Sequence, residues 1–245
     1  MDEKENSGKG KCGEKFFFNL AVNGILTFLL IGIFAVTLMP QISQAFNPEG
    51  NGAYYRGNTA NKNISLMVNV YQGTEFLEGM LSVLETENVK ATFFIGGCFA
   101  AANNDCIIKI RDGGHELGNH GYYHKDHKVI SETRNREEIF ITHKLIESIA
   151  GVSMNLFAPP SGSFNKTTVT VAANLGYKTI MWSKDTIDWR DKDAELVYSR
   201  AVKNLKNGDL ILMHPTAHTL AALPRIIEEI KKQGFNITTV TDNIT

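Results

Sequence analysis

Dense positive charge is missing from most of this chain. The formal net charge over 245 residues is -1, and no basic block follows the amino-terminal region. Nothing therefore attracts nucleic acid or another phosphate-rich partner. Cysteine is scarce as well, with 3 in all, too few for a disulfide framework. Cys12 precedes the longest apolar run, so only Cys98 and Cys106 share a compartment; they can bridge or remain free thiols. Disorder is also excluded, because 43% of the residues are hydrophobic and 21% charged, a balance that suits one globular domain with a real core.

From Phe16 to Met39 no side chain is charged. As a helix rising roughly 1.5 Å per residue, that run extends about 36 Å, enough to cross a bilayer. Lys4, Lys9, Lys11 and Lys15 precede it, and no Lys or Arg follows until Arg56. The positive-inside rule then puts the amino terminus in the cytoplasm. The expected organisation is a single-pass cell-membrane protein: a cytoplasmic tail 1–15, a transmembrane helix 16–39, an exposed linker 40–62 and an extracytoplasmic domain 63–245. Ser43-Gln44-Ala45 supplies small residues of the kind a signal peptidase reads, so cleavage after Ala45 would secrete the domain instead.

Within that domain, apolar runs of strand length alternate with helical periodicity. Strands are expected at 64–69, 91–95, 116–119, 156–158, 178–182, 209–213 and 235–240. Helices are expected at 74–87, 105–111, 131–151, 166–175 and 194–205, with a last one at 224–233 opened by Pro224 at its first position. Alternation of this kind implies an α/β fold with a parallel sheet, open or closed into a barrel, and it places working groups at the carboxyl ends of the strands. Asn69, the loop His120 to His124, Ala158-Pro159-Pro160, Asp188-Trp189 and Met213-His214-Pro215 all fall there.

Two histidines four residues apart, His120 and His124, can turn toward one point and hold a metal. A hydrolytic zinc site takes three protein ligands and leaves a fourth position for water. These loop segments, with Lys90-Ala91-Thr92-Phe93-Phe94-Ile95-Gly96, resemble the polysaccharide deacetylases of the NodB-homology type, carbohydrate esterase family 4, over about residues 63 to 245. The tract from Met181-Trp182-Ser183 to Asp188-Trp189 is most similar to sporulation-associated peptidoglycan deacetylases. The resemblance implies a distorted (β/α)7 barrel and metal-assisted hydrolysis, with a divalent metal, usually zinc, of N-acetyl groups on a cell-wall glycan such as peptidoglycan. It further implies that His120 and His124 are metal ligands. His214 would be the general acid that protonates the leaving amine, and Asp188 its supporting carboxylate. Trp189 and Pro160 would meet the sugar, although Trp189 can equally be packing.

The chain departs from the family where the chemistry is most demanding. Asn69 and Val70 stand where the first family motif has two aspartates, one a general base and one the third metal ligand. An asparagine amide takes no proton near neutral pH, and valine offers no lone pair. Ala158 stands where the family has an arginine that orients the base. Glu75 is a candidate substitute ligand or base, although the first turn of a helix favours a carboxylate in any case; Asp126 is another candidate. Otherwise metal-bound water ionises without a protein base, or the domain is a catalytically inactive glycan-binding pseudoenzyme in envelope or spore assembly.

Overall fold

A computed structural model describes residues 20, 22–24, 26–29 and 50–245. Most of the expected transmembrane segment, the Ala45 cleavage position and Cys12 lie outside the described residues. Within 16–39, the described positions are helical, and Leu20, Leu26, Phe28 and Leu29 are exposed. Among the described residues no helix is long and apolar enough to cross a membrane.

The chain divides into two compact units, and the second, Gln44–Thr245, carries a nine-stranded sheet. Its strands are β1 (Ala53–Tyr54), β2 (Asn63–Val70), β3 (Thr92–Ile95), β4 (Glu116–Asn119), β5 (Leu156–Phe157), β6 (Lys178–Ile180), β7 (Lys184–Asp185), β8 (Leu210–Met213) and β9 (Asn236–Ile237). They run in the order β1-β6-β5-β4-β3-β2-β8-β7, with β9 on β2, and every ladder is parallel. Parallel pairing needs crossovers, which the intervening helices supply.

β2 is buried along nearly its whole length, as expected of a central strand covered on both faces. Its alternate residues enter different cores. Leu66, Val68 and Val70 join the larger cluster packed against the helices, whereas Met67 joins Phe94, Leu156, Ala158, Ile180 and Leu210 in a second cluster. Side chains from five strands converge in that second cluster, so the sheet is curled into a half-barrel. β1 and β7 are its ends rather than a closed seam.

Several boundaries differ from expectation for physical reasons. The linker expected at 40–62 is partly structured: Ala53 is fully buried, β1 pairs with β6, and Arg56 forms an ion pair with buried Asp209. Main-chain pairing needs no apolar pattern, so composition alone hid it. The helix Gly97–Ala102 was not anticipated. Pro224 lies inside the helix Ala217–Lys232 and does not open it. Thr216 caps that helix by accepting from Thr219 N–H, and the buried face Leu223, Ile226, Ile227 and Ile230 continues past the proline. The segment expected as a strand at 235–240 is the short β9 followed by a helix, Val240–Ile244. Val240 and Ile244 join the second cluster, at the end of the curl opposite the carboxyl ends of the strands. Cys98 and Cys106 are both free thiols.

Candidate active site

At the carboxyl ends of the strands lies a cleft of about 270 Å3 bounded by Asn69, Tyr71, His120, His124 and His214. Ser161, Trp182, Asp185, Trp189 and Leu212 complete its lining. The histidines expected to converge therefore share one cavity. Tyr71 stands among them, its ring centroid 4.1 Å from His124, 6.3 Å from His120 and 6.5 Å from His214. The rings of His120 and His124 are 5.1 Å apart.

The loop carrying these two histidines is pinned at both ends of its peptide groups. Buried Glu138 accepts from the N–H groups of Tyr122 and Tyr123 at 2.7 and 2.6 Å, and Arg134 balances its charge. On the other side, Gly97 N–H and Cys98 N–H donate to the carbonyls of Gly121 and Tyr122. Gly97 has to be glycine here, because a Cβ would collide with the Tyr122 ring and lie 2.7 Å from Thr142 Oγ1. Asn119 closes the turn by accepting from Gly121 N–H. His124 itself sits at φ 53°, a left-handed conformation uncommon outside glycine. Ser161 and Ile187 at φ 55° and 54° are two further residues held so at or beside the cleft. For a β-branched isoleucine this is a strained geometry, of the sort that clusters at functional sites.

His120 is almost wholly buried, and its Nδ1–H donates to the Ala158 carbonyl at 2.7 Å. That bond fixes the tautomer and leaves Nε2 with a lone pair, and Nε2 has no hydrogen-bond partner. Burial first, then the neighbouring imidazole of His124, holds this ring neutral by pushing its pKa well below the usual value. His124 is likewise lowered, chiefly by burial. Neutral imidazoles are the form that accepts a donor or a cation.

Asp188 and His214 form the pair that the sequence anticipates. His214 Nδ1–H donates to Asp188 Oδ1 at 2.7 Å, while His214 N–H and the Thr219 hydroxyl both donate to Oδ2 at 2.6 Å. Burial pulls the Asp188 carboxyl upward, but the bonds from His214 and Thr219 outweigh it, so its pKa is lowered. His218, given no role from sequence, donates from Nε2 to the Asp188 backbone carbonyl at 2.5 Å and steadies the same turn. An imidazole oriented this way presents Nε2 to a bound ligand, as a general acid requires.

The base half is absent. Asn69 reaches the cleft, whereas Val70 faces away into the helix-side core. Ala158 is fully buried in the inner cluster and brings no cation. Neither proposed substitute fills the gap. Glu75 is exposed in the first turn of the helix Thr74–Thr86 and does not border the cleft. Asp126 is exposed too and is occupied by the Ser163 hydroxyl at 2.5 Å and Lys128 N–H. Pro160 is buried, and its neighbour Ser161 meets the cleft in its place. Trp189 borders the cleft and is 59% exposed, with the Arg190 guanidinium over its ring.

Metal hydrolysis of the family type therefore finds only part of its donor set. His120 Nε2 is a buried lone pair without a partner, as a ligand atom would be, and His124 adjoins it. No third donor accompanies them: among the described residues, no group of three His, Cys, Asp or Glu side chains is arranged to hold a metal ion. The Tyr71 ring packs against His124 instead. These residues do not fit a hydrolytic three-ligand centre.

Residues 56–180 match the polysaccharide deacetylase family. The chain belongs to that family. It is 40% identical over 188 residues to the uncharacterized protein YlxY of Bacillus subtilis, covering 77% of this chain and 59% of that one. It is 30% identical over 195 residues to the peptidoglycan-N-acetylmuramic acid deacetylase PdaA of the same organism, covering 78% and 74%. Among solved structures it is similar to BA3943 of Bacillus anthracis, described as a CE4 family pseudoenzyme, with TM-score 0.78 and 35% identity over 80% of this chain and 70% of that one. A mutant of that pseudoenzyme with restored enzymatic activity superposes equally well, at TM-score 0.78 and 33% identity over 80% and 72%. As a polysaccharide deacetylase family member, the chain thus has both active and inactive relatives.

Sequence reasoning missed Tyr71, Trp182, Asp185 and Ser161 as cleft residues. Tyr71 was accessible in principle, since it lies two positions beyond Asn69 and period-two alternation puts both on one face. Trp182 and Ser161 come from irregular segments and Asp185 from the two-residue strand β7, none long enough to leave a periodic trace.

Proposed function

We propose that this domain, built on a distorted (β/α)7 scaffold, recognises acetamido-sugar-derived glycan of the cell wall, peptidoglycan above all, and does not turn it over efficiently. One observation carries the reading: the acid pair Asp188–His214 and the exposed Trp189 remain in the cleft, while an amide and a core valine stand where the base and third ligand would be. The inactive relative supports the same reading. The domain then serves envelope or spore assembly by holding glycan. The charge-free run and the lysines before it support a membrane tether that leaves the domain outside the cell.

The test is acetate release from acetylated glycan oligomers with zinc present, for the native protein beside His124→Ala and His214→Ala. Equal background release from all three, with glycan still bound by the native protein, is the expected result. A second reading, in which His120 and His124 alone would hold a metal that supplied slow hydrolysis, is favoured by the unpartnered Nε2 of His120 and by the Asp188–His214 pair. It predicts zinc-dependent release that both substitutions abolish. Protease added outside intact cells should cleave the domain; resistance would overturn the topology.

A further inference from the structure

The cleft is rich in hydrogen-bond acceptors and has no fixed cation. Asn69 Oδ1 and His120 Nε2 are both buried and both without partners, in side chains only 3% and 1% exposed. A buried acceptor left unpaired is unfavourable, so two that line the same cleft point to donors that arrive with a ligand. His214 directs its Nδ1–H at Asp188, so in its neutral form it offers a third lone pair from Nε2; when it is protonated, Asp188 balances the charge. Asp185 adds a carboxylate to the lining, to which Tyr71, Trp182 and Trp189 contribute aromatic rings. None of the residues lining the cleft is a lysine or arginine. Arg190, whose guanidinium lies over the Trp189 ring, is paired with Asp191.

An acetamido carbonyl is an acceptor, and what holds it strongly is a cation or a charged donor. The fixed donors of this cleft are neutral ones: the Asn69 amide, the hydroxyls of Tyr71 and Ser161, and the indoles of Trp182 and Trp189. An ammonium group has the opposite needs: three donors, a positive charge, a carboxylate nearby and aromatic faces. We infer that the preferred ligand of this cleft is a glycan carrying a free amino sugar, the de-N-acetylated form, bound through its ammonium by Asn69, His120 and Asp185. The inference rests on the glycan-binding reading and narrows it from cell-wall glycan in general to glycan whose acetyl groups have already been removed. The reaction that must supply this ligand is N-deacetylation.

Isothermal titration of the full-length protein in detergent, with EDTA present to exclude a bridging metal, decides the matter. Three oligosaccharides of equal length are compared: β-1,4-linked glucosamine, β-1,4-linked N-acetylglucosamine and β-1,4-linked glucose. The glucosamine oligomer should bind at least tenfold more tightly than the other two. Asp185→Asn keeps the acceptor for Ile187 N–H while removing the charge, and should reduce that preference severalfold; Asn69→Leu should do the same. Circular dichroism confirms that both variants fold. Equal or tighter binding of the acetylated oligomer would overturn the inference and leave the glycan reading standing. Failure of all three sugars to bind would overturn both. A preference unchanged in both variants would place the ammonium elsewhere and overturn the inference.

Discussion

Asp188 is the residue on which the surviving chemistry turns, since it receives three hydrogen bonds and orients His214. Its pKa lies below the ordinary carboxylate value of 3.8. A depressed carboxyl stabilises the fold at pH above that value, and the contribution is lost as pH falls through the folded pKa. Asp188→Asn should therefore lower stability by about 1–3 kcal/mol near neutral pH and lose less on acidification below about pH 4, read by denaturant melts across that range. His115 works in a higher window. Burial, then Lys90, lowers its pKa from 6.5 to about 4, and its Nδ1 accepts from Ala91 N–H. The unfolded chain takes up the proton first, so stability falls as pH drops from 6.5 toward 4. His115→Asn should flatten that slope; an unchanged slope would assign it to other groups. Its place at the start of a strand already set His115 apart from His120 in the sequence, and its burial and its bond from Ala91 N–H agree with a structural role.

At the level of elements, one glycine and one proline carry testable consequences. Gly97 lets the helix Gly97–Ala102 meet the histidine loop, and Gly97→Ala should cost about 1–3 kcal/mol by overpacking against Tyr122 and Thr142. Glycan affinity should fall with it, because the displaced loop carries His120 and His124. Gly73, at φ 91°, brings the end of β2 beside the Pro215 carbonyl and so beside His214. Pro224 is exposed in mid-helix and removes a main-chain donor without contributing a buried side chain. Pro224→Ala should stabilise the protein by about 1–3 kcal/mol, visible as a raised thermal midpoint. No gain would mean that a helix bend at this point is needed for packing. The central elements were legible from periodicity because their apolar faces are long. Residues 97–102 and 53–54 were not, because a helix of six residues and a strand of two leave no periodic trace.

Across the whole molecule, the departures from the family pattern are Asn69, which lines the cleft, and Val70 and Ala158, which lie in the two cores. Asn69→Asp, Val70→Asp and Ala158→Arg together should tighten zinc binding and raise zinc-dependent acetate release. Val70 is fully buried in the helix-side core, so its replacement places a carboxylate among apolar groups. Such a charge costs several kcal/mol unless something neutralises it. The triple variant should melt below the native protein in EDTA and recover when zinc is added. Loss of stability with no zinc response would mean that residue 70 cannot turn toward the cleft.

Sequence by itself determined the strand and helix alternation, the family, and the absence of a base at Asn69 and of an arginine at Ala158, because each depends on residue type or on period along the chain. Only the tertiary structure decided that Glu75 and Asp126 are no substitutes, that Val70 faces the core, and that Tyr71, Trp182 and Asp185 share a cleft with three histidines. Those outcomes depend on which face of a curled sheet a side chain takes and where loops from distant strands meet, and no local pattern specifies either.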